Sequence, residues 1–401
     1  MIKKILFFIL VTASLNAFSL NKNSKAIRGV WVPAPRFTKV LHSYQNVQQF
    51  VNLLDSLNFN AIFLVSYAET QTIYKSKVIQ EYTGKIIENN SLLNPYLKEY
   101  NKPFKSPTND PIADLIYLAH QHNIKVFFWY EYGFMGDTKP ITKDNLLLAK
   151  NPDWLGIANN GKPASYHEKD FYFNAYDPKV QDYIIKLIEE GIKLYPNLDG
   201  IQGDDRMPAM PKNSGYDEIT VSKYKSEHQG NLPPQDFNNE EWVNWRINIL
   251  NQFGKRLYNS AHAVKKDIIV SFAPNPYPWS KENLMQDWPT WLANGTCDLL
   301  AVQCYRYNAD AYKNTVTEAL SYVKANNASQ LFAPGIILME GNRIKMTADL
   351  LKKQININRN LGISSEIYFY NEALNDMEIQ RVFKELYPTK AVFPIKPKYK
   401  K

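Results

Sequence analysis

Along the chain, short and almost uninterrupted apolar runs alternate with longer stretches in which apolar residues recur every three or four positions. The runs fall at residues 27–32, 59–65, 124–130, 198–202, 268–273, 299–304, 331–338 and 366–370. Such short, evenly apolar runs read as strands buried on both faces, the habit of parallel sheets. The stretches with helical spacing fall between and after them, at 47–57, 112–122, 179–194, 241–264, 281–293, 310–325, 347–361 and 377–386. Strand and helix alternating eight times predict an α/β protein built as a single (β/α)8 barrel over residues 25–388, with a basic tail at 389–401.

Local punctuation supports this order. Asp110-Pro111 and Asp177-Pro178 each place a capping carboxylate before a proline that suits the first helical position. The strand-to-helix connections 66–109, 131–176 and 203–240 are long, whereas the helix-to-strand turns at Asn58, Asn123 and Asn197 are tight. Long loops on one face and short turns on the other put function at the carboxyl ends of the strands.

One strand end stands out. The run at 198–202 leads through Gly203 straight into Asp204, Asp205 and Arg206. Alternation puts Gln202 and Asp204 on one face, so if Gln202 points into the barrel, Asp204 does too. Asp204 is the first candidate for nucleophile or base; Asp205 either turns into the site or holds the loop. Glu131, Glu340 and Glu372 also follow strands, and glycoside cleavage needs one carboxyl as proton donor and a second to attack or to activate water. Glu131 and Glu372 are the leading partner acids. Aromatics make up 13% of the chain, and Trp31, Trp129, Tyr130, Tyr132, Trp279, Tyr305 and Tyr370 sit where a sugar ring could stack. Gln202, Arg206, Asn275, Gln303, Arg306 and Asn371 are polar candidates at the same level.

Other chemistries find little support. His120 and His122 are the one close histidine pair and lie at a helix end away from the active face, so no metal is expected. No glycine-rich phosphate cradle and no Gly-x-Ser-x-Gly elbow occurs, which argues against a nucleotide cofactor and serine acyl transfer. Cys297 and Cys304 flank a single strand, about 20 Å apart, and should stay unpaired. Cys304 is the one possible thiol nucleophile, and burial would leave it inert.

Two lysines behind the net charge of +8 sit in the first residues, Lys3 and Lys4, and four in the tail, Lys396, Lys398, Lys400 and Lys401. The body is near neutral, without the basic, aromatic-interleaved element of a nucleic-acid binder. The tail could touch an anionic envelope surface, though a solubilising end is the simpler reading. Lys3-Lys4, an apolar run too short to span a membrane and Ala17-Phe18-Ser19 read as a signal peptide over residues 1–19, so a periplasmic or extracellular protein without integral membrane association is expected.

Several segments together resemble the bacterial glycosyl-hydrolase-like family 10. They are Arg28-Gly29-Val30-Trp31, Tyr74-Lys75-Ser76-Lys77, Trp129-Tyr130-Glu131-Tyr132-Gly133-Phe134, Asp199-Gly200-Ile201-Gln202-Gly203-Asp204-Asp205, Trp245-Arg246 and Gln303-Cys304-Tyr305. The chain departs from the pattern at Gly203, where the family has a bulky residue, at Arg206, where it has an aromatic, and at Arg306, where a tryptophan is common. The resemblance implies an exported barrel that hydrolyses a polysaccharide, with peptidoglycan glycan as substrate. A barrel that binds glycan without cutting it, and a surface-interaction protein that uses its basic tail, are the other readings.

Overall fold

The computed structural model describes residues 24–86, 90–96, 106–137, 145–166, 170–341 and 344–395. The expected signal peptide and the lysine-rich end at 396–401 lie outside these residues.

Eight parallel strands form one sheet: β1 Arg28–Val32, β2 Ala61–Val65, β3 Lys125–Tyr130, β4 Gly200–Gly203, β5 Ile269–Phe272, β6 Leu299–Leu300, β7 Gly335–Ile337 and β8 Glu366–Phe369. Neighbours follow chain order from β1 to β6, and β8 pairs with both β1 and β7. The remaining gap closes where residues after β6 bridge those around β7, with Ala333 N–H donating to Leu300 O at 2.9 Å and Gly335 N–H to Val302 O at 2.8 Å. The main covering helices are α1 Tyr44–Ser56, α2 Pro111–Gln121, α3 Pro178–Leu194, α4 Glu240–Val264, α5 Trp288–Ala293, α6 Ala309–Ala325, α7 Ala348–Asn360 and α8 Met377–Leu386.

The predicted punctuation is seen in atoms. Asp110 accepts from Ile112 and Ala113 N–H, and Asp177 from Lys179 N–H. At the other helix ends Asn58, Asn123, Asn327 and Gly362 adopt positive φ, and the next residue's N–H returns to the helix, as Phe59 N–H does to Leu54 O at 3.0 Å. This closure satisfies terminal carbonyls and turns the chain sharply into the following strand.

Three departures have physical causes. The stretch expected as one helix at 281–293 is two, Trp279–Leu284 and α5, because Met285 takes positive φ and Pro289 cannot sit inside a continuous helix. The run at 299–304 is regular only at its start, and 331–338 opens as a 3-10 turn with Pro334 delaying the strand. The long loops carry two-stranded pairings, such as Met135–Asp137 with Phe171–Tyr172, too short to leave a periodic signal.

Packing also continues past residue 388. Val392 pairs with Lys25, Arg28 Nη1 donates to Thr389 O at 2.6 Å, and Phe393 lies 6.0 Å from the Phe127 ring, so the first part of the expected tail closes the amino-terminal end of the barrel. Both cysteines are buried and free, as the spacing required, and burial pushes the Cys304 thiol up to about 12. No helix of the described residues is long and apolar enough to cross a membrane.

Candidate active site

The site is built in layers from the barrel interior upward. Trp31 Nε1 donates to Gln202 Oε1 at 2.7 Å, and Gln202 Nε2 to Ser271 Oγ at 2.9 Å, so a buried polar chain crosses the barrel from β1 to β5. Gln202 therefore faces inward. Room for this layer comes partly from Gly200, where a Cβ would fall 2.2 Å from the Phe127 ring. Trp31, at 1% exposure, packs edge-on to Tyr305 and Phe369 and 6.4 Å from Trp129. Trp31, Trp129 and Gln202, expected to touch ligand, thus make the floor beneath the site.

One layer up stand the acids. Trp129 is in register with Gln202 and Tyr130 with Gly203, so Glu131 and Asp204 emerge side by side from adjacent strands. Asp204, 2% exposed, takes Gln303 Nε2 on Oδ1 at 2.5 Å and Arg206 Nη1 on Oδ2 at 2.9 Å. The same Arg206 nitrogen lies 3.1 Å from Asp205 Oδ1 and donates to Glu131 O at 3.1 Å. Burial first, then the negative charge of Asp205, hold the Asp204 carboxyl well above the usual range against the pull of Arg206. Burial also pushes the half-buried Glu131 up to about 7, opposed by Arg206 and Arg36 and reinforced by Asp205 and Glu69. Two carboxylates thus pair with one guanidinium whose charge is also felt by the Glu131 carboxyl, and a group that titrates near 7 can give up a proton at neutral pH.

The turn that carries them depends on Gly203. A Cβ there would sit 2.6 Å from Met207 O and 2.9 Å from the Phe272 ring, because residues 204–207 fold back over their own strand. A bulky side chain at this position would force that turn open. Arg246, fully buried, donates to Lys212 O, Ser214 O and Phe237 O and so pins the long loop beyond. Tyr74 and Ser76 tie the second loop to α3 through Leu187 O and Glu190.

Asp205 opens onto a cavity of about 420 Å³, lined also by Arg206, Asn275, Tyr166, Trp279 and Arg306. Asn275 Nδ2 holds Asp205 Oδ2 at 3.1 Å. Trp279, 37% exposed, and Tyr166 form an edge-to-face pair 5.5 Å apart at the rim. Tyr132 lies under Arg206, 5.5 Å from ring centre to guanidinium carbon. Tyr305 stacks on Phe369, and Tyr370 is buried beside the same ring.

Glu372 and Glu340 are placed elsewhere. Glu372 accepts from Thr38, Asn371 and Asn375 and lines a second cavity; none of these partners belongs to the Arg206 cluster. Glu340 accepts from Tyr307. Two contributors were not anticipated. Gln286, fully buried, donates to Asp204 O at 3.3 Å and accepts from Asn275 N–H at 3.4 Å, bracing both acids' supports. Tyr166 comes from a loop without periodicity. Pro289 marks a helix start just downstream of Gln286, and that break was the available signal that Gln286 lies in a loop.

The sequence model described as glycosyl hydrolase-like 10 matches residues 26–354. The glycosyl hydrolase YngK of Bacillus subtilis is 24% identical over 234 residues, 52% of this chain and 42% of the relative. The chain thus spans less than half the length of the curated relative it matches. In fold it is similar to the glycoside hydrolase domain of PgaB (BpsB) from Bordetella bronchiseptica, with a TM-score of 0.63 at 14% identity over 91% of this chain and 98% of that one. The catalytic domain of β-amylase from Paenibacillus polymyxa gives 0.59 at 10% identity, again over 91% and 98%.

Proposed function

The chain belongs to the glycosyl hydrolase-like 10 family, and on that premise we propose that it is an exported glycoside hydrolase that cuts a polysaccharide, with cell-wall glycan strands as substrate. The observation that carries the reading is the cluster of Asp204, Asp205 and Glu131 around Arg206 at the carboxyl end of the strands. Glu131, raised to about 7, protonates the departing glycosidic oxygen. Asp205 lines the cavity, held by Asn275 and paired with Arg206, so it attacks the anomeric carbon or activates water. Asp204 lies beneath and aims Arg206. The sequence put Asp204 first for the attacking role; its burial favours Asp205. Trp279 and Tyr166 offer ring faces to a sugar at the rim. The leader-like first 19 residues support export.

Purified protein incubated with peptide-free glycan strands should generate new reducing ends, and Asp205→Asn should not. Glycan binding without new reducing ends would instead identify a non-catalytic binding barrel.

A further inference from the structure

The second cavity has no part in the chemistry above, yet it opens on the same face. It encloses about 610 Å³ and is walled by the loop after β1, by α1 and by the loop after β8. The first cavity is walled by loops after β3, β4, β5 and β6. In a closed ring of eight strands, β8 and β1 stand opposite β4 and β5, so the two cavities lie on opposite sides of the barrel. Glu131 lies between them: it feels Arg206, which lines the first, and Arg36, which lines the second.

The lining of the second cavity suits a sugar. Asn46, Gln49, Asn371, Asn375 and Gln380 supply amides. Phe37 is 48% exposed, with the Arg36 guanidinium 4.6 Å from its ring centre. The charges are largely answered within the protein: Arg36 pairs with Glu69 at 2.7 Å, and Glu372 is taken by Thr38, Asn371 and Asn375. One buried group is left over. Asn371 commits its Nδ2 to Thr38 and Glu372, and its Oδ1 is buried with no hydrogen-bond partner although the residue lines the cavity. An orphan buried acceptor is costly and calls for a donor. A hydroxyl provides one, and amides around an exposed ring match a neutral polyol with an apolar face.

We propose that the second cavity is a distal sugar-binding subsite, so that one glycan chain spans both cavities and passes over Glu131. This rests on the glycosidase reading for its ligand but is tested through binding. The probes are peptide-free peptidoglycan glycan fragments of two and of eight sugars, titrated calorimetrically into Asp205→Asn protein with and without Phe37→Ala or Gln49→Ala, two exposed positions whose loss the fold tolerates. The long fragment should bind more tightly than the short one, and either added substitution should weaken only the long one, by about tenfold for Phe37→Ala. Equal binding of both fragments, or indifference of the long one to both substitutions, overturns the subsite even if the wild type releases reducing ends. Length-dependent binding lost in Phe37→Ala without any reducing ends from the wild type upholds the subsite and overturns the hydrolase reading. Absence of binding by either fragment overturns both.

Discussion

Asp199 and Asp204 bracket the same four-residue strand, one immediately before β4 and one immediately after it, yet their surroundings drive them in opposite directions. Burial pushes Asp199 up, but hydrogen bonds from His120 and Lys125, each at 2.7 Å, and from Val126 N–H outweigh it and hold the carboxyl below its ordinary value. Burial raises Asp204 as well, the negative charge of Asp205 adds to it, and the one cation, Arg206, does not outweigh them. The difference lies in what answers burial: cations and hydrogen bonds neutralise the amino-terminal acid into a structural tie, while Asp204, beside a second carboxylate, is left with a raised proton affinity. Residue type and strand adjacency are the same at both ends.

Removing the cluster's reacting groups should give the largest contrast. Asp205→Asn should lower kcat/KM by about 10³-fold or more with an unchanged melting temperature, since the isosteric amide neither attacks nor accepts a proton. Asp199→Asn should leave kcat/KM intact. Equal losses in the two variants would erase the distinction between the ends.

Wild-type activity should fall as pH rises through about 7, and Glu131→Gln should cost about 10²–10⁴-fold and abolish that fall. The same group acts on stability. Its folded pKa exceeds the ordinary value of 4.5, so the folded state binds more protons between 4.5 and about 7, and stability declines as pH rises through that window. Melting curves of wild type and Glu131→Gln across this range should diverge accordingly.

Asp199 has the opposite sign. A depressed carboxyl contributes stability that is present above its unfolded pKa and lost as pH falls through the folded one. Asp199→Asn should therefore destabilise by about 1–3 kcal/mol at neutral pH, and the gap to wild type should shrink below about pH 4. A gap that persists in acid would mean that the tie is not electrostatic. Of similar size in stability, Gly203→Ala should cost about 1–3 kcal/mol through overpacking and lower activity by shifting the turn that carries both aspartates; unchanged denaturation and kinetics would show that the turn yields freely.

Much of the frame was legible because its causes are local. Strand burial, Asp-Pro helix starts and asparagine turns are written in adjacent residues, and strand alternation placed Gln202 and Asp204 inside the barrel. The site's supports were not, because they act across loops. Gln303 was a polar candidate from its strand end, but its bond to Asp204 spans 99 positions; Gln286, placed in an expected helix, reaches the same residue from 82 positions away, and nothing local marks either meeting. Glu131 and Glu372 look equivalent in the chain, each an acid just past an aromatic strand. Register separates them, since β3 adjoins β4 and sets Glu131 beside Asp204, whereas Glu372 leaves β8 into the opposite cavity.

The strand-like pairing of Lys25 with Val392 brings both ends of the described residues together beneath the barrel, on the side away from the acids. A cargo fused to either end would therefore hang from the floor of the molecule and leave the mouth unobstructed. Cutting the chain in a surface loop and joining these neighbouring ends by a short linker should give a permuted protein with the same barrel, a route to opening one wall of the groove at a time.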